Sequence, residues 1–391
     1  MKLFLSLHLA AAAVRGRRDA FWVVNEDDYC AREGPHEYVT RRDGSNVTLI
    51  STQILFRHGA RTEHQRGACF PDGKRPEYAC DEKTGFNLVS SRARLATSLT
   101  KSYGNDGSSC ALGQLIHSGI EQASRLGKYL KAAYPSLSEA NIERISLYST
   151  DTQRTMGTLS MIARELFPNL SESESITVNT SEFDEDIFAL NIPSCPSFVD
   201  LRKNFRSSSL YKDMINSSEF LDCANMWTNA YKTNLELGYS DDCLLSAICA
   251  DVPLPDGRVM NPAVFKCVMD LAFDLRREKL GGIPDSAYYN NATRLCRIGS
   301  HKVLSELRQS VDRGDVGGLY AIHDETFVCL MSSLGLWKDL KWPKYAEFLS
   351  FEFYNDDTVR VIRNGRVLAA TIPISKLIIY ESQETYDTDC Y

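Results

Sequence analysis

The chain lacks a basic excess. Its 44 Lys and Arg stand against 51 Asp and Glu, a formal charge of −7. A general nucleic-acid binder carries the opposite imbalance, so no nucleic-acid partner is expected, although a local basic pocket inside an acidic protein stays open. After the N-terminal segment there is no apolar run long enough to span a bilayer, so no stable membrane span is expected. The C-terminal YDTDCY has no hydrophobic tail of the kind a lipid anchor needs. None of the twelve cysteines forms a Cys-x-x-Cys pair, which argues against zinc-ribbon and dithiol-redox chemistry.

What is present suits a globular protein. Of the 391 residues, 43% are hydrophobic and 24% charged, enough to bury a core and to make disorder the wrong default. The length fits one large α/β domain with an insertion, or two domains. The opening MKLFLSLHLAAAAVRGRR has a positive start, an apolar stretch interrupted by His8, and small residues, and reads as a secretory signal peptide over residues 1–18. In that setting the cysteines are expected to form disulfides. Cys69 with Cys80 and Cys243 with Cys249 are candidate local loops, while Cys329, in an apolar run, reads as a free core thiol. Five Asn-x-Ser/Thr sites, at Asn46, Asn169, Asn179, Asn216 and Asn291, agree with a glycoprotein that is secreted or delivered to a lysosome or vacuole.

Along the chain, the β-branched run VTLISTQILF (47–56) predicts a buried strand that stops at Arg57. Residues 64–112, rich in Gly, Ser, Cys and charge, read as loops shaping a pocket. Apolar spacing then predicts a helix over 112–135, ended by Pro135. RISLYST (144–150) predicts a strand, 151–168 a helix capped by Asp151, and SITVNT (175–180) another strand. From about 186 to 311 the pattern is helical. Strands resume at GGLYAIH (317–323) and continue through AEFLSFEFYN and TVRVIRNGRVLAATI, with a tight hairpin at Asn364-Gly365. The expected fold class is α/β: a mixed, mainly parallel central sheet with flanking helices, plus an inserted α-helical cap. The core is expected to be discontinuous, 45–185 with 312–391, and the cap to be 186–311.

The chemistry concentrates in LFRHGAR at the strand end. The carboxyl edge of such a sheet is where ligands bind. Arg57 and Arg61 offer forks of N–H donors suited to a tetrahedral oxyanion, and Gly59 lets the backbone turn or approach a ligand. His58, set between like charges, should have a lowered pKa and so a free lone pair for nucleophilic attack. His64 and His117 are read as non-catalytic, and His36 and His301 have no informative context.

These residues resemble the signature of the histidine acid phosphatases, the acid-phosphatase and phytase branch of the histidine phosphatase superfamily. Three further stretches match in order. GQLIHSGIEQASRLG (113–127) is similar to the family's G-Q-L-T-x-x-G-x-x-Q-x-x-x-L-G helix, with Ile116 where threonine is usual. YSTDTQRT (148–155) is similar to its R-S-T-D-x-x-R-T segment, with Tyr148 in place of arginine, and AIHDET (321–326) to its strand-end His-Asp pair. The resemblance implies a metal-independent acid phosphatase without cofactor, acting on small phosphorylated substrates and compatible with a homodimer. It implies His58 as the nucleophile that becomes phosphohistidine. Arg57, Arg61, Arg154 and His323 would grip the phosphate, and Asp324 would be the proton donor. The inositol-polyphosphate branch uses a glutamate one residue later, where Glu325 stands; Asp324 is preferred, because neighbouring side chains point differently and only one faces the ester oxygen.

One departure bears on specificity. Glu63 replaces a proline common in the family, and a carboxylate beside the pocket mouth would repel highly phosphorylated substrates or pair with Arg61. Arg66, Lys74 and Arg75 are the basic residues that could offset it. Two competing readings have distinct signatures. A phosphate-ester-binding pseudophosphatase would bind without turnover. A metal-dependent hydrolase built on His58, His64, His323 and Asp324 lacks recognised ligand spacing and would lose activity to a chelator.

Overall fold

The computed structural model describes residues 27–31, 47–64, 70, 73–80, 87–90, 110–169, 175–258, 260–281, 283–380 and 382–391. The signal-like segment, Asn46, Arg66 and Cys69 lie outside them.

Among the described residues eight strands form: β1 (Leu49–Arg57), β2 (Asn87–Ser90), β3 (Ile145–Ser149), β4 (Ser175–Val178), β5 (Gly317–Ile322), β6 (Phe348–Tyr354), β7 (Thr358–Arg363) and β8 (Arg366–Pro373). Six of them make the central sheet in the order β3-β5-β1-β6-β7-β8. The sheet is mixed. β3, β5 and β1 run parallel, and β6, β7 and β8 continue it antiparallel. β4 pairs with β2 in a separate two-stranded sheet and meets the end of β3 through a bridge from Asn179 to Tyr148. The Asn364-Gly365 turn has both φ angles positive (49° and 88°), as a two-residue hairpin between right-twisted strands requires.

The helices are α1 (Asp27–Cys30), α2 (His117–Ala133), α3 (Pro135–Glu139), α4 (Gln153–Leu166), α5 (Pro196–Asn204), α6 (Ser209–Ile215), α7 (Ser218–Tyr231), α8 (Ser240–Ala250), α9 (Pro262–Lys279), α10 (Tyr289–Asp312), α11 (Asp324–Ser333) and α12 (Gln383–Cys390). Between β4 and β5 the described residues hold only helices and turns. Pro135 does end α2, by opening α3 at its first turn, where its missing N–H costs nothing. Asp151 is not the cap of α4. Thr152 holds that position, without a side-chain cap bond. Among the described residues no helix is long and apolar enough to cross a membrane.

Strand alternation divides the core. Ile54 and Phe56 of β1 join a cluster with Leu126 and Leu130 of α2 and Leu159 and Ile162 of α4. Leu55 points to the other face and joins the cluster that holds α8–α11. β5 follows the same rule, Leu319 and Ala321 on the first face and Tyr320 and Ile322 on the second. Burying each large side chain contributes about 1.5–3 kcal/mol. Five of the helices between β4 and β5, α5 and α7–α10, therefore share one core with a sheet face, while Leu210 and Tyr211 of α6 pack on a separate small cluster around Phe205, Tyr288 and Ala292. On the first face α2 sits against the loop after β1. A Cβ on Gly59 would come within 2.4 Å of Gly119 O, and one on Gly119 within 2.1 Å of Ala60 O.

Five disulfides staple the described chain: Cys30–Cys249, Cys80–Cys110, Cys195–Cys390, Cys223–Cys267 and Cys296–Cys329. Neither local loop expected from the sequence forms. Cys80 pairs with Cys110. Cys243 and Cys249 sit six positions apart on α8, a rise of about 9 Å that no disulfide spans. Nor is Cys329 free, since α10 brings Cys296 to within 4.6 Å Cα to Cα. Cys30–Cys249 closes a loop of 219 residues, worth about 5 kcal/mol in the chain-entropy account.

Candidate active site

Three distant segments meet at the carboxyl edge of β3, β5 and β1. Arg57 is the last residue of β1 and lies in register with Ile322, the last of β5. His58 follows the one and His323 the other, and the His58 N–H donates to Ile322 O (3.3 Å). Thr150 follows β3, and Arg154 stands in the first turn of α4.

His58 is buried, and its Nδ1 lies 2.8 Å from Gly59 O. A carbonyl only accepts, so Nδ1 carries the proton and Nε2 keeps its lone pair. Burial, and then the charges of Arg154, Arg57, Arg61 and His323, hold the pKa well below the ordinary imidazole value. The ring is therefore neutral, with its nucleophilic nitrogen free.

The three arginines share a feature: each has a buried Nε–H with no acceptor among the described residues. Arg57 donates through Nη1 to Pro343 O (2.7 Å), pairs through Nη2 with Asp324 (2.8 Å), and stacks its guanidinium 4.2 Å from the Tyr345 ring centre. Arg61 forks onto Asp242 of α8 through Nη2 (2.7 Å) and Nη1 (3.1 Å). Burial opposes that charge, but Asp242 raises the Arg61 pKa overall. Among the described residues the Arg154 guanidinium has neither a hydrogen bond nor an ion pair. Burial and repulsion from Arg61 push its pKa down to about 9, so it remains a cation at acid and neutral pH. Buried donors without partners cost free energy unless a ligand supplies the acceptors.

His323 stands with its ring edge-on to His58, centroids 5.5 Å apart, and its Nε2 is 3.0 Å from Thr150 Oγ1. Burial and then Arg154 lower its pKa, against the attraction of Asp324. Asp324 begins α11. Its Oδ2 takes the Arg57 pair and a bond from Trp342 Nε1 (3.0 Å), and its Oδ1 accepts the Glu325 N–H (3.0 Å). Burial would raise its pKa, but Arg57, Arg276, the Trp342 bond and His323 outweigh it and hold the carboxyl far below its ordinary range. Glu325 is engaged elsewhere. Lys279 Nζ lies 2.7 Å from its Oε1, and Arg202 3.9 Å from its Oε2.

Glu63 does not occupy the pocket mouth. It is buried and paired with Arg75, whose Nη1 also donates to Cys110 O (2.9 Å). Arg61 has Asp242 of α8 as its partner instead, through both carboxylate oxygens. Neither described basic candidate is idle: Arg75 is bound to Glu63, and Lys74 pairs with Asp256 (2.7 Å). His64 lies beside Arg154. A Cβ on Gly113, at φ +66°, would meet His64 Nδ1 at 3.2 Å and Arg154 Nη1 at 3.4 Å. His117 is exposed at the start of α2 near Glu121, and His301 packs between Tyr380 and Tyr386. Among the described residues no three His, Cys, Asp or Glu side chains converge as a metal-ligand set.

The sequence reading missed Asp242, Asp241 with its partner Arg276, Trp342 and Tyr345. None belongs to a motif, and all lie in segments read as cap or connection. The exposed Asn169, Asn179, Asn216 and Asn291 stay available on the surface.

Comparison with known proteins gives the site a context. A family model described as histidine phosphatase superfamily (branch 2) matches residues 48–246. The chain is similar to testicular acid phosphatase of Mus musculus, 26% identical over 267 residues, covering 62% of this chain and 59% of that protein. It is also similar to lysosomal acid phosphatase of Rattus norvegicus (27% over 262 residues; 63% and 60% covered). A third relative is 2-phosphoxylose phosphatase 1 of Xenopus tropicalis (24% over 362 residues; 82% and 68%). Among solved structures, the phytase from D. castellii superposes with a TM-score of 0.57 at 14% identity, covering 94% of this chain and 88% of that one. The likeness is one of fold.

Proposed function

Given that the chain belongs to branch 2 of the histidine phosphatase superfamily, we propose that it is an acid phosphatase, hydrolysing phosphate monoesters through a phosphohistidine on His58. The observation that carries this reading is a buried, neutral His58 with Nε2 free, surrounded by three guanidiniums that each hold an unpartnered Nε–H. Three phosphoryl oxygens would satisfy those donors and set phosphorus in front of Nε2.

In the first step the Nε2–P bond forms as the ester P–O bond breaks, and Asp324 gives its proton to the departing oxygen. In the second, water attacks phosphorus, Asp324 takes the water's proton, and the N–P bond breaks to release orthophosphate. Free Asp324 is a carboxylate held by Arg57. A phosphate dianion competes for Arg57 and repels that carboxylate, so substrate binding raises its proton affinity, and acidic pH completes the protonation. Asp324 is favoured over Glu325 as the donor because Lys279 and Arg202 hold Glu325.

The five disulfides and the lysosomal relative support passage through an oxidising secretory compartment, with a signal peptide at 1–18 and glycans on the exposed asparagines. The division into a core of 45–185 and 312–391 and a helical cap of 186–311 belongs to the same reading. The matched stretch spans 59% of the length of the mouse testicular enzyme. The test is turnover of p-nitrophenyl phosphate at pH 5 in the presence of a chelator, with His58→Ala beside it. Activity is expected for the unaltered protein and none for the variant. Substantial activity in His58→Ala, or phosphate binding without turnover across pH 4–7, would overturn the reading.

A further inference from the structure

Asp242 stands 181 positions from Arg61, in the first turn of α8, yet it makes the closest and most complete contact to that arginine. The side chains are 7% and 12% exposed, so the pair is shielded from water. The geometry of the fork matters. A guanidinium presents two edges for bidentate contact, one made by the two Nη groups and one by Nε–H with the neighbouring Nη2–H. Asp242 takes the first edge, with Nη2 to Oδ1 and Nη1 to Oδ2. Nη1 also donates to Thr62 O (2.9 Å). The second edge is left open, and its Nε–H is one of the buried donors without an acceptor. Asp242 Oδ2 also accepts the His64 N–H (2.8 Å), which ties the loop after β1 to α8.

α8 is itself anchored. Cys249 at its far end is bonded to Cys30 and accepts through its carbonyl from Ser118 Oγ of α2 (3.1 Å), and Asp241 beside Asp242 pairs with Arg276 of α9. A long, flexible arginine is thus gripped end-on by a rigid element, and its free edge is the one a phosphoryl group can use.

We propose that Asp242, supplied by the helical segment between β4 and β5, is a positioning residue for phosphate recognition: it holds Arg61 by one edge so that the Nε edge faces the phosphoryl oxygens. This rests on the reading of Arg61 as a phosphate ligand. Removing Asp242 leaves Arg61 free to turn its other edge toward the ligand and leaves an uncompensated cation beside Arg154. The clamp then loses alignment in the transition state more than it loses ground-state attraction.

A double-mutant cycle tests this, using the whole protein and the variants Asp242→Asn, Arg61→Ala and their combination. With p-nitrophenyl phosphate, Asp242→Asn is expected to lower kcat/KM at least 10-fold, mostly in kcat. In the Arg61→Ala background it is expected to matter less than 2-fold. Asp242→Glu, which keeps the charge but not the reach, should lose less than the Asn variant and supplies the test if that variant fails to fold. The same cycle is run on orthophosphate binding by calorimetry. Asp242→Asn should change Kd at least 3-fold when Arg61 is present and leave it unchanged when Arg61 is absent. Equal losses with and without Arg61, or activity and binding within 2-fold of the unaltered protein, would overturn the proposal. Absence of turnover in every protein would instead overturn the phosphatase reading, and the binding cycle would still decide the role of Asp242.

Discussion

Trp342→Phe should make the site work at higher pH. The indole N–H donates to Asp324 Oδ2 at 3.0 Å, the same oxygen that pairs with Arg57 at 2.8 Å. That bond stabilises the carboxylate and so opposes the protonation a leaving-group acid requires. Hydrogen bonds to charged groups are worth about 1.5–3 kcal/mol, and a pKa unit is 1.36 kcal/mol, so losing this one should raise the Asp324 pKa by about 1–2 units. Arg57, Arg276 and the Glu325 N–H remain, which favours the lower end. The assay is kcat at saturating alkyl phosphate from pH 3 to 8, because kcat reports the Asp324 proton in the substrate complex, where the bound phosphate raises its affinity, with the variant compared directly with the unaltered protein. The substrate's own ionisation acts equally on both. The alkaline limb should move up by about one unit. The indole also packs against Phe273 and Arg276, so some stability is lost at every pH. The sign of the pH-dependent part is separate. A carboxylate with a depressed pKa contributes stability above its unfolded value, and that stability is lost as pH falls through the folded value. The variant should therefore lose more stability at neutral pH than in strong acid. An alkaline limb that stays put or moves down would refute the assignment of Asp324 as the acid and Trp342 as its brake.

Other expectations follow from the same contacts. Asp324→Asn should cut kcat for an alkyl phosphate by about 10²–10⁴, and by less for p-nitrophenyl phosphate, whose leaving group needs little protonation, while Glu325→Gln should stay within about 3-fold; the reverse ranking would make Glu325 the donor. Asp186 is buried, with Tyr148 OH and the Phe188 N–H on Oδ1 and, among the described residues, nothing on Oδ2, and burial pushes its pKa up to about 6 despite those bonds. A raised carboxyl pKa destabilises the fold as pH rises from the unfolded value through 6, so Asp186→Asn should be the more stable protein at pH 7.5, by on the order of 3 kcal/mol, and not at pH 4. Urea unfolding at the two pH values checks this, and an advantage that does not grow with pH would sink it.

Much of the site was legible because its chemistry is local. Arg57, His58, Gly59 and Arg61 lie within five positions at the end of an alternating apolar strand, and His323-Asp324 follow another. Two parallel strands in register carry both segments to one edge. The hairpin at Asn364-Gly365 was equally readable, because only a few residue types accept its φ angles. Glu63 was misplaced because its role depends on a partner twelve positions away across a loop, and proximity to Arg61 in sequence said nothing about which cation its side chain meets.

The sequence by itself determined the strand and helix periods, the reactive motif and the residue types on each sheet face, because these follow from stereochemistry acting over a few neighbouring positions. Only the tertiary structure decided which cysteines join, which carboxylate grips Arg61 and which indole holds Asp324. Cys30 reaches Cys249 and Arg61 reaches Asp242 across 219 and 181 positions. Such pairings depend on the path of the whole chain around a shared core, and no short-range pattern records that path.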